Sequence, residues 1–334
     1  MSPGSTRAAV VIGVDIGGTK VAAGLVRATG EILFHTRQPM VAHDCAESGL
    51  AAVKDAIQSV ASQAADSGNL QSPIEGIGLC APGPLDPKTG VVLNPPNLPC
   101  WRNFPLGAEI AKIYRVRVRV ENDANAAGLA ETLWGAGRGY RNVFYVTVGT
   151  GIGTAIVLDG HIYGGRTGAA AEGGHVSIDY HGPRCGCGKR GCVEALASGP
   201  AIARRARTKL EAGSRSHLRD LAGGKLELVT CAMVGQAHAE GDPLAAEVLH
   251  ETVELFAFWL GNIVDLLEPD IMIVGGGVSS MLTPFFGEIQ DRLVEFCLNH
   301  RCREIPLVPA RYGEDAGVAG GAALCFEGAQ SSAV

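Results

Sequence analysis

With 334 residues, the chain is long for one compact unit and sized for two lobes, each able to bury its own core. Charged residues are 19% and the net charge is −6, which leaves no basic footprint for nucleic acid. Ten cysteines in a chain this size, with no apolar signal-peptide core, read as reduced, buried or metal-bound thiols and not as a secreted disulfide framework.

Residues 1–9 are polar and contain Gly, Pro and Ser, so a loose N-terminal tail and a cytoplasmic protein are expected. A strand over 10–14 runs into Asp15-Ile-Gly-Gly-Thr-Lys20 and out again through a strand over 21–26. Glycines between two strands make a tight hairpin whose N–H groups can approach a ligand closely. This is not a Walker A loop, because the Gly-Lys-Ser/Thr order is missing and no helix follows. Asp15 can hold a hydrated metal ion beside phosphates; an ordinary turn is the plainer alternative. A strand over 32–36, a helix over about 46–65 and a strand over 74–80 follow, the last ending in Ala81-Pro-Gly-Pro84. Asn94-Pro-Pro-Asn-Leu98 is then a stiff loop presenting two amides. Each offers a donor and an acceptor, suited to sugar hydroxyls, although Asn is also a common turn residue.

The run Arg115-Val-Arg-Val-Arg-Val120 alternates with period two, as a strand with a solvated arginine face does. Glu121-Asn-Asp-Ala-Asn125 then passes into an Ala-rich helix ending near Trp134, which puts Asp123 at a strand-to-helix turn. A carboxylate in a first helical turn faces free N–H groups and the positive dipole end, favouring the ionised form that accepts a proton. A helix N-cap is the alternative use of this residue. The opening theme then repeats: strand 143–148, turn Gly149-Thr-Gly-Ile-Gly153, strand 154–158. Two such hairpins suggest a nucleotide held in a cleft between two similar lobes, and neither opens a helix as a nicotinamide-binding fingerprint requires.

His175-x9-Cys185-x-Cys187-x4-Cys192, with four glycines interleaved, is a three-thiolate, one-imidazole set for a closed, structural Zn²⁺; a cluster of reduced thiols is the alternative. Glu172 and Glu194 flank this loop, which would fix their positions. Helices are expected over 200–212, 229–240 and 244–267. Glu247, Glu251, Glu254 and Asp265 mark the last as a core-packed helix ending before Pro269, not a membrane span. A buried strand over 270–274 enters Gly275-Gly-Gly-Val-Ser-Ser280, where a flat ring such as adenine can lie against backbone, or where the chain simply turns. A helix over 284–298, a strand over 305–308 and a last helix over 316–326 complete the chain.

Asp15-Ile-Gly-Gly-Thr-Lys20, Glu121-Asn-Asp-Ala-Asn125, Gly149-Thr-Gly-Ile-Gly153, Glu172-Gly-Gly-His175, Cys185-Gly-Cys-Gly-Lys-Arg-Gly-Cys192 with Glu194, and Gly275-Gly-Gly277 stand in the order of the ROK family. That family includes bacterial glucokinases, N-acetylmannosamine kinases and transcriptional repressors. The resemblance covers about 10–326, and the stretch from Ala81-Pro-Gly-Pro84 to Asn94-Pro-Pro-Asn97 looks most like the glucokinase branch. It implies an α/β, actin-like (hexokinase-like) ATPase fold, two α/β lobes around a central cleft. The small lobe would span 10–121, with a helix over about 315–328 returning to it, and the large lobe 122–314 with the zinc loop 175–192.

By the same resemblance Asp123 would take the proton from a sugar 6-hydroxyl. Asn97, Asn122, Glu172, His175 and Glu194 would hold the other hydroxyls, with His175 also a zinc ligand beside Cys185, Cys187 and Cys192. Asp15, Gly17, Gly18, Thr19 and Lys20, with Gly149, Thr150 and Gly151, would position Mg²⁺ and the ATP phosphates, and Gly275, Gly276 and Gly277 would border the adenosine. Glucose is the expected substrate, an N-acetylhexosamine such as N-acetylmannosamine the alternative. A non-catalytic sugar sensor is a third reading, disfavoured by Asp123, Asp15 and both hairpins. A repressor is excluded on the expectation that nine residues ahead of Val10 cannot hold a helix-turn-helix. A homodimer or homotetramer is expected, without nucleic-acid or membrane partners. Two positions depart from the family pattern: Gly173, where relatives usually carry a larger apolar residue, and Thr154, where many carry glycine.

Overall fold

The structure, a computed structural model, describes residues 9–67 and 73–327. The expected loose tail lies outside these residues except for Ala9, as does residue 328 of the expected returning segment. The chain divides into two compact units. One comprises Met1–Val143, Ala155–Ala171 and Arg311–Val334, the other Phe144–Thr154 and Glu172–Ala310.

The first unit contains β1 (Val10–Ile16), β2 (Lys20–Arg27), β3 (Ile32–Pro39), α1 (Ala46–Asp66), β4 (Ile74–Ala81), the short pair β5 (Leu85–Asp86) and β6 (Val91–Val92), α2 (Leu106–Tyr114), β7 (Arg117–Asn122) and α3 (Asp123–Leu133). Its main sheet has the order β3-β2-β1-β4-β7. The first three strands form an antiparallel meander, and β1, β4 and β7 run parallel. A strand flanked on both sides needs apolar residues on both faces, and β1 is accordingly buried along nearly its whole length. One face is covered by α1, whose buried residues Ala52, Val53, Ala56, Ile57, Val60 and Ala64 recur at the helical spacing of three and four. Against β1 and β4 lies the last helix, Ala316–Leu324. Backbones touch there: a Cβ on Gly78 would stand 1.7 Å from the carbonyl oxygen of Gly321.

The sequence set the lobe boundary at 121/122, but α3 belongs to the first unit. Its Ala-rich surface packs on the last helix so closely that a Cβ on Gly320 would reach 2.7 Å from the Ala126 backbone. Arg115 is likewise not a strand residue; it is the left-handed C-cap of α2, a helix the sequence reading missed, and β7 starts at Arg117. Arg117 and Arg119 are exposed, as the alternation requires.

A second five-stranded sheet is built from β8 (Asn142–Val148), β9 (Ile152–Leu158), β10 (His161–Ile162), β11 (Ile271–Gly275) and β12 (Leu307–Pro309), in the order β10-β9-β8-β11-β12. The second unit carries α4 (Val193–Ala197), α5 (Gly199–Glu211), α6 (Leu218–Leu221), α7 (Cys231–Ala239), α8 (Pro243–Leu267), α9 (Ser279–Leu282) and α10 (Phe286–Arg292). Asp242 caps α8 by accepting from the Ala245 N–H, Pro243 occupies the first turn, and Glu268 ends the helix in left-handed geometry just before Pro269. No helix among the described residues is long and apolar enough to cross a membrane. The helix expected over 284–298 is broken into α10 and flanking 3-10 turns. Beyond Leu293 the backbone of Phe296 presses on α8 so closely that a Cβ on Gly261 would lie 3.0 Å from it, leaving no room for a further straight turn.

Candidate active site

In the first unit, the C-terminal ends of the parallel strands bring the candidate residues to one sheet edge, where ligands bind in open α/β sheets. Asp15 of β1 is paired with Cys80 of β4, and Cys80 with Glu121 of β7. Asn122 and Asp123 follow directly. Burial pushes the Asp15 carboxyl above its ordinary value, opposed by Lys20 and by the Cys80 thiol 3.9 Å away. Burial pushes that thiol well up in turn, and the charges of Asp15 and Asp123 add to the effect.

At the junction of β7 and α3, Asp123 is not the helix N-cap. The N-cap is Asn122, whose Oδ1 accepts from the N–H groups of Ala124 at 3.0 Å and Asn125 at 3.3 Å. Asp123 is the first helical residue, exposed, with Oδ1 accepting from the Ala124 N–H at 2.8 Å. Capping occupies Asn122 Oδ1, which leaves its amide N–H groups as donors. The β1–β2 turn is closed by the Gly17 N–H donating to the Lys20 carbonyl at 2.9 Å. Its Gly18 touches the candidate sugar loop: a Cβ there would stand 2.5 Å from the Asn97 carbonyl oxygen. Thr19, Lys20 and Asn97 are exposed.

In the second unit, Glu172 precedes a single 3-10 turn, Gly173–His175, and Glu194 sits in the first turn of α4. Glu194 Oε2 accepts from the Ile152 N–H of β9 at 3.0 Å, and its Oε1 lies 3.8 Å from His175 Nδ1. The ligand atoms of His175, Cys185, Cys187 and Cys192 all lie within 4.8 Å of one another. The Cys185 Sγ to His175 Nδ1 and Cys187 Sγ to Cys192 Sγ distances are both 3.6 Å. Around a tetrahedral zinc with bonds of about 2.3 Å to sulfur and about 2.1 Å to nitrogen, ligand atoms stand roughly 3.6–3.8 Å apart, so the set fits that ion. None of the ten cysteines is in a disulfide.

The β8–β9 turn holds Gly149, Thr150 and Gly151, closed by the Gly149 N–H donating to the Gly151 carbonyl at 2.9 Å. Gly149 and Thr150 line an open cavity of about 530 Å³ whose other walls include Pro200, Arg207, Val229 and Val278. A second cavity of about 570 Å³, lined by His238, Gly277, Met281 and Pro284 among others, shares Cys231, Ala232 and Val278 with it. Of the triple glycine only Gly277 lines these cavities; Gly275 is buried at the end of β11. Sequence reasoning missed Arg207, Cys231, His238 and Met281. They lie on helices, or beside one, and carry no local glycine or carboxylate signal; only the packing of α5, α7 and α9 turns them to the cavities.

The family model described as "ROK family" matches residues 11–327. The glucokinase of Thermotoga maritima is 35% identical over 95% of this chain and 97% of its own length. The N-acetylmannosamine kinase of Shigella flexneri is 31% identical over 94% and 97%. The crystal structure of a ROK family glucokinase from Streptomyces griseus, in complex with glucose and AMPPNP, superposes with a TM-score of 0.78 at 33% identity, covering 94% of this chain and 98% of that one. The fold is therefore the actin-like ATPase fold. The chain belongs to the ROK family and is a hexose kinase of the glucokinase type.

Proposed function

We propose that the chain transfers the terminal phosphoryl group of ATP to the 6-hydroxyl of glucose, with Asp123 as the general base. The observation that carries this reading is the division of labour at the start of α3: Asn122 caps the helix, and the Asp123 carboxylate stands exposed in its first turn. The helix dipole favours its ionised form, the form that accepts a hydroxyl proton. Asn97, Asn122, Glu172, His175 and Glu194 would hold the other sugar hydroxyls. With His175 Nδ1 turned toward the thiols, its Nε2 is left for a sugar hydroxyl.

The 530 Å³ cavity bordered by Gly149 and Thr150 suits the donor's phosphate end, and the adjoining cavity at Gly277 and Met281 its adenosine. Asp15 would hold Mg²⁺, which when bound neutralises phosphate charge. Phosphoryl transfer has a loose transition state, so the task of these residues is alignment and charge stabilisation. His175, Cys185, Cys187 and Cys192 would hold a structural zinc, and metal analysis of the purified protein is expected to return about one zinc per chain, the single site such a four-ligand set makes. A dimer or tetramer is the expected assembly, read by light scattering.

The test is ADP release with Mg²⁺ across glucose, mannose, fructose, allose, N-acetylglucosamine and N-acetylmannosamine. Glucose is expected to give the highest kcat/KM; N-acetylmannosamine leading instead would favour the activity named for the Shigella relative. Asp123→Asn is expected to lower kcat by roughly 10²–10⁴-fold while sugar still binds. Turnover near that of the unaltered protein would remove Asp123 from the base role.

A further inference from the structure

We propose that Thr154 is a positioning residue for sugar binding: its hydroxyl caps the Glu172–His175 turn from strand β9, and Gly173 is the glycine that this hydroxyl requires. The inference rests on the reading of Glu172, His175 and Glu194 as sugar ligands.

The Gly173–His175 turn is too short to satisfy its own first N–H groups, and the residue in its N-cap position, Glu172, gives no side-chain bond to them. A buried N–H without a partner is rare in folded proteins. The partner of the buried Gly173 N–H comes from elsewhere in the chain: it donates to Thr154 Oγ1 at 2.8 Å. Thr154 is itself only 4% exposed, a buried hydroxyl in a strand whose neighbours Ile152 and Ala155 are apolar. The close fit continues at the next residue, where a Cβ on Gly174 would stand 1.9 Å from the Ile152 carbonyl oxygen. The turn is thus seated on the backbone of β9 at Ile152 and held by a side chain of β9 at Thr154.

Space and bonding impose the same pairing. A Cβ on Gly173 would meet Thr154 Oγ1 at 2.7 Å and Thr154 Cγ2 at 3.1 Å. Either residue can be larger only if the other is smaller. The same strand also holds Glu194, through the Ile152 N–H. Residues 152 and 154 of β9 therefore anchor both carboxylates and the imidazole of the second unit, immediately after the hairpin that lines the 530 Å³ cavity.

Steady-state kinetics on the full chain, with the best hexose of the panel and ATP, test the assignment. Thr154→Val keeps the shape and removes the hydroxyl. Its sugar KM is expected to rise about tenfold with kcat and ATP KM within about twofold, and Thr154→Ser is expected to restore the sugar KM. Gly173→Ala is expected to raise the sugar KM in the native background and to raise it less when combined with Thr154→Ala, which removes the two nearest atoms. A purely structural role would instead lower kcat and the folded fraction together and leave KM unmoved. Glu172→Gln is measured in parallel. A raised sugar KM in Glu172→Gln with an unchanged one in Thr154→Val, or with additive effects of Gly173→Ala and Thr154→Ala, overturns this inference alone. An unchanged sugar KM in Glu172→Gln overturns the reading of Glu172 as a sugar ligand and this inference with it.

Discussion

The two glycine hairpins look alike in sequence and differ in what makes glycine necessary. In the β1–β2 turn, Gly18 is demanded by protein: a Cβ would be driven to 2.5 Å from the Asn97 carbonyl oxygen, a backbone atom. In the β8–β9 turn, a Cβ on Gly149 would meet nothing within 4 Å, yet Gly149 lines the 530 Å³ cavity. One glycine makes room for a neighbouring loop, while the other borders open space. Gly151 lies between these cases, since its Cβ would meet only the carboxylate end of Glu194, at 2.5 Å. A strand-glycine-strand pattern therefore marks close approach without saying what approaches.

Three substitutions separate these demands. Gly18→Ala carries the largest expected effect, because backbone must move: a loss of about 1–3 kcal/mol of stability, as for other overpacked sites, together with weakened sugar binding through the displaced Asn97 loop. Thermal unfolding and sugar KM read both. A Gly18→Ala protein as stable as the native one would break the contrast. Gly151→Ala is expected to cost under about 1 kcal/mol, since a side chain can swing away, but to raise sugar KM about tenfold by lifting Glu194 off the Ile152 N–H. Gly149→Ala is expected to leave stability within about 0.5 kcal/mol and to raise the KM for ATP several-fold, with sugar KM unchanged. A rise in sugar KM alone would assign the cavity to a different ligand.

Where residues adjacent in sequence act together, the chain was legible. The two hairpins, the Asp123 junction and the Cys/His set were all visible as local patterns, and the strands flanking the hairpins lie where their apolar runs predict. The family resemblance was legible for the same reason, because those patterns stand in a fixed order. What could not be read depends on distant packing. The helix α2 was missed because Leu106–Tyr114 carries only two fully buried residues, Leu106 and Ile110, and starts behind Pro105 without a side-chain cap. The placement of α3 rests on backbone contact with a helix nearly two hundred residues later, and the cavity walls at Arg207 and Met281 on how three helices pack. The Thr154–Gly173 pairing belongs here too: a pair well separated in sequence, one contact in space.

A difference in burial separates the carboxylates on either side of Asn122. Glu121 is 9% exposed, and its Oε1 accepts from the Asn122 N–H at 2.8 Å and from the Asn125 amide at 3.1 Å. Burial raises its pKa above the ordinary value against the pull of those two donors. Asp123, two residues on, is exposed. Glu121→Gln is therefore expected to preserve kcat and both KM values, where Asp123→Asn is expected to lower kcat by roughly 10²–10⁴-fold. Its effect on stability has a definite sign. A carboxyl whose folded pKa lies above its unfolded one favours the fold while protonated, and that contribution is lost as the pH rises through the folded value. A neutral amide keeps the acceptor oxygen and escapes the loss. Glu121→Gln is expected to stabilise the protein at pH 7–8, and the gain is expected to vanish below the ordinary glutamate range. Unfolding midpoints for both proteins between acid and neutral pH measure this. A destabilised Glu121→Gln protein at neutral pH would mean that the ionised carboxylate is held more strongly by Asn122 and Asn125 than burial opposes it, and Glu121 would then join Asn122 as a stabilising element of the α3 start.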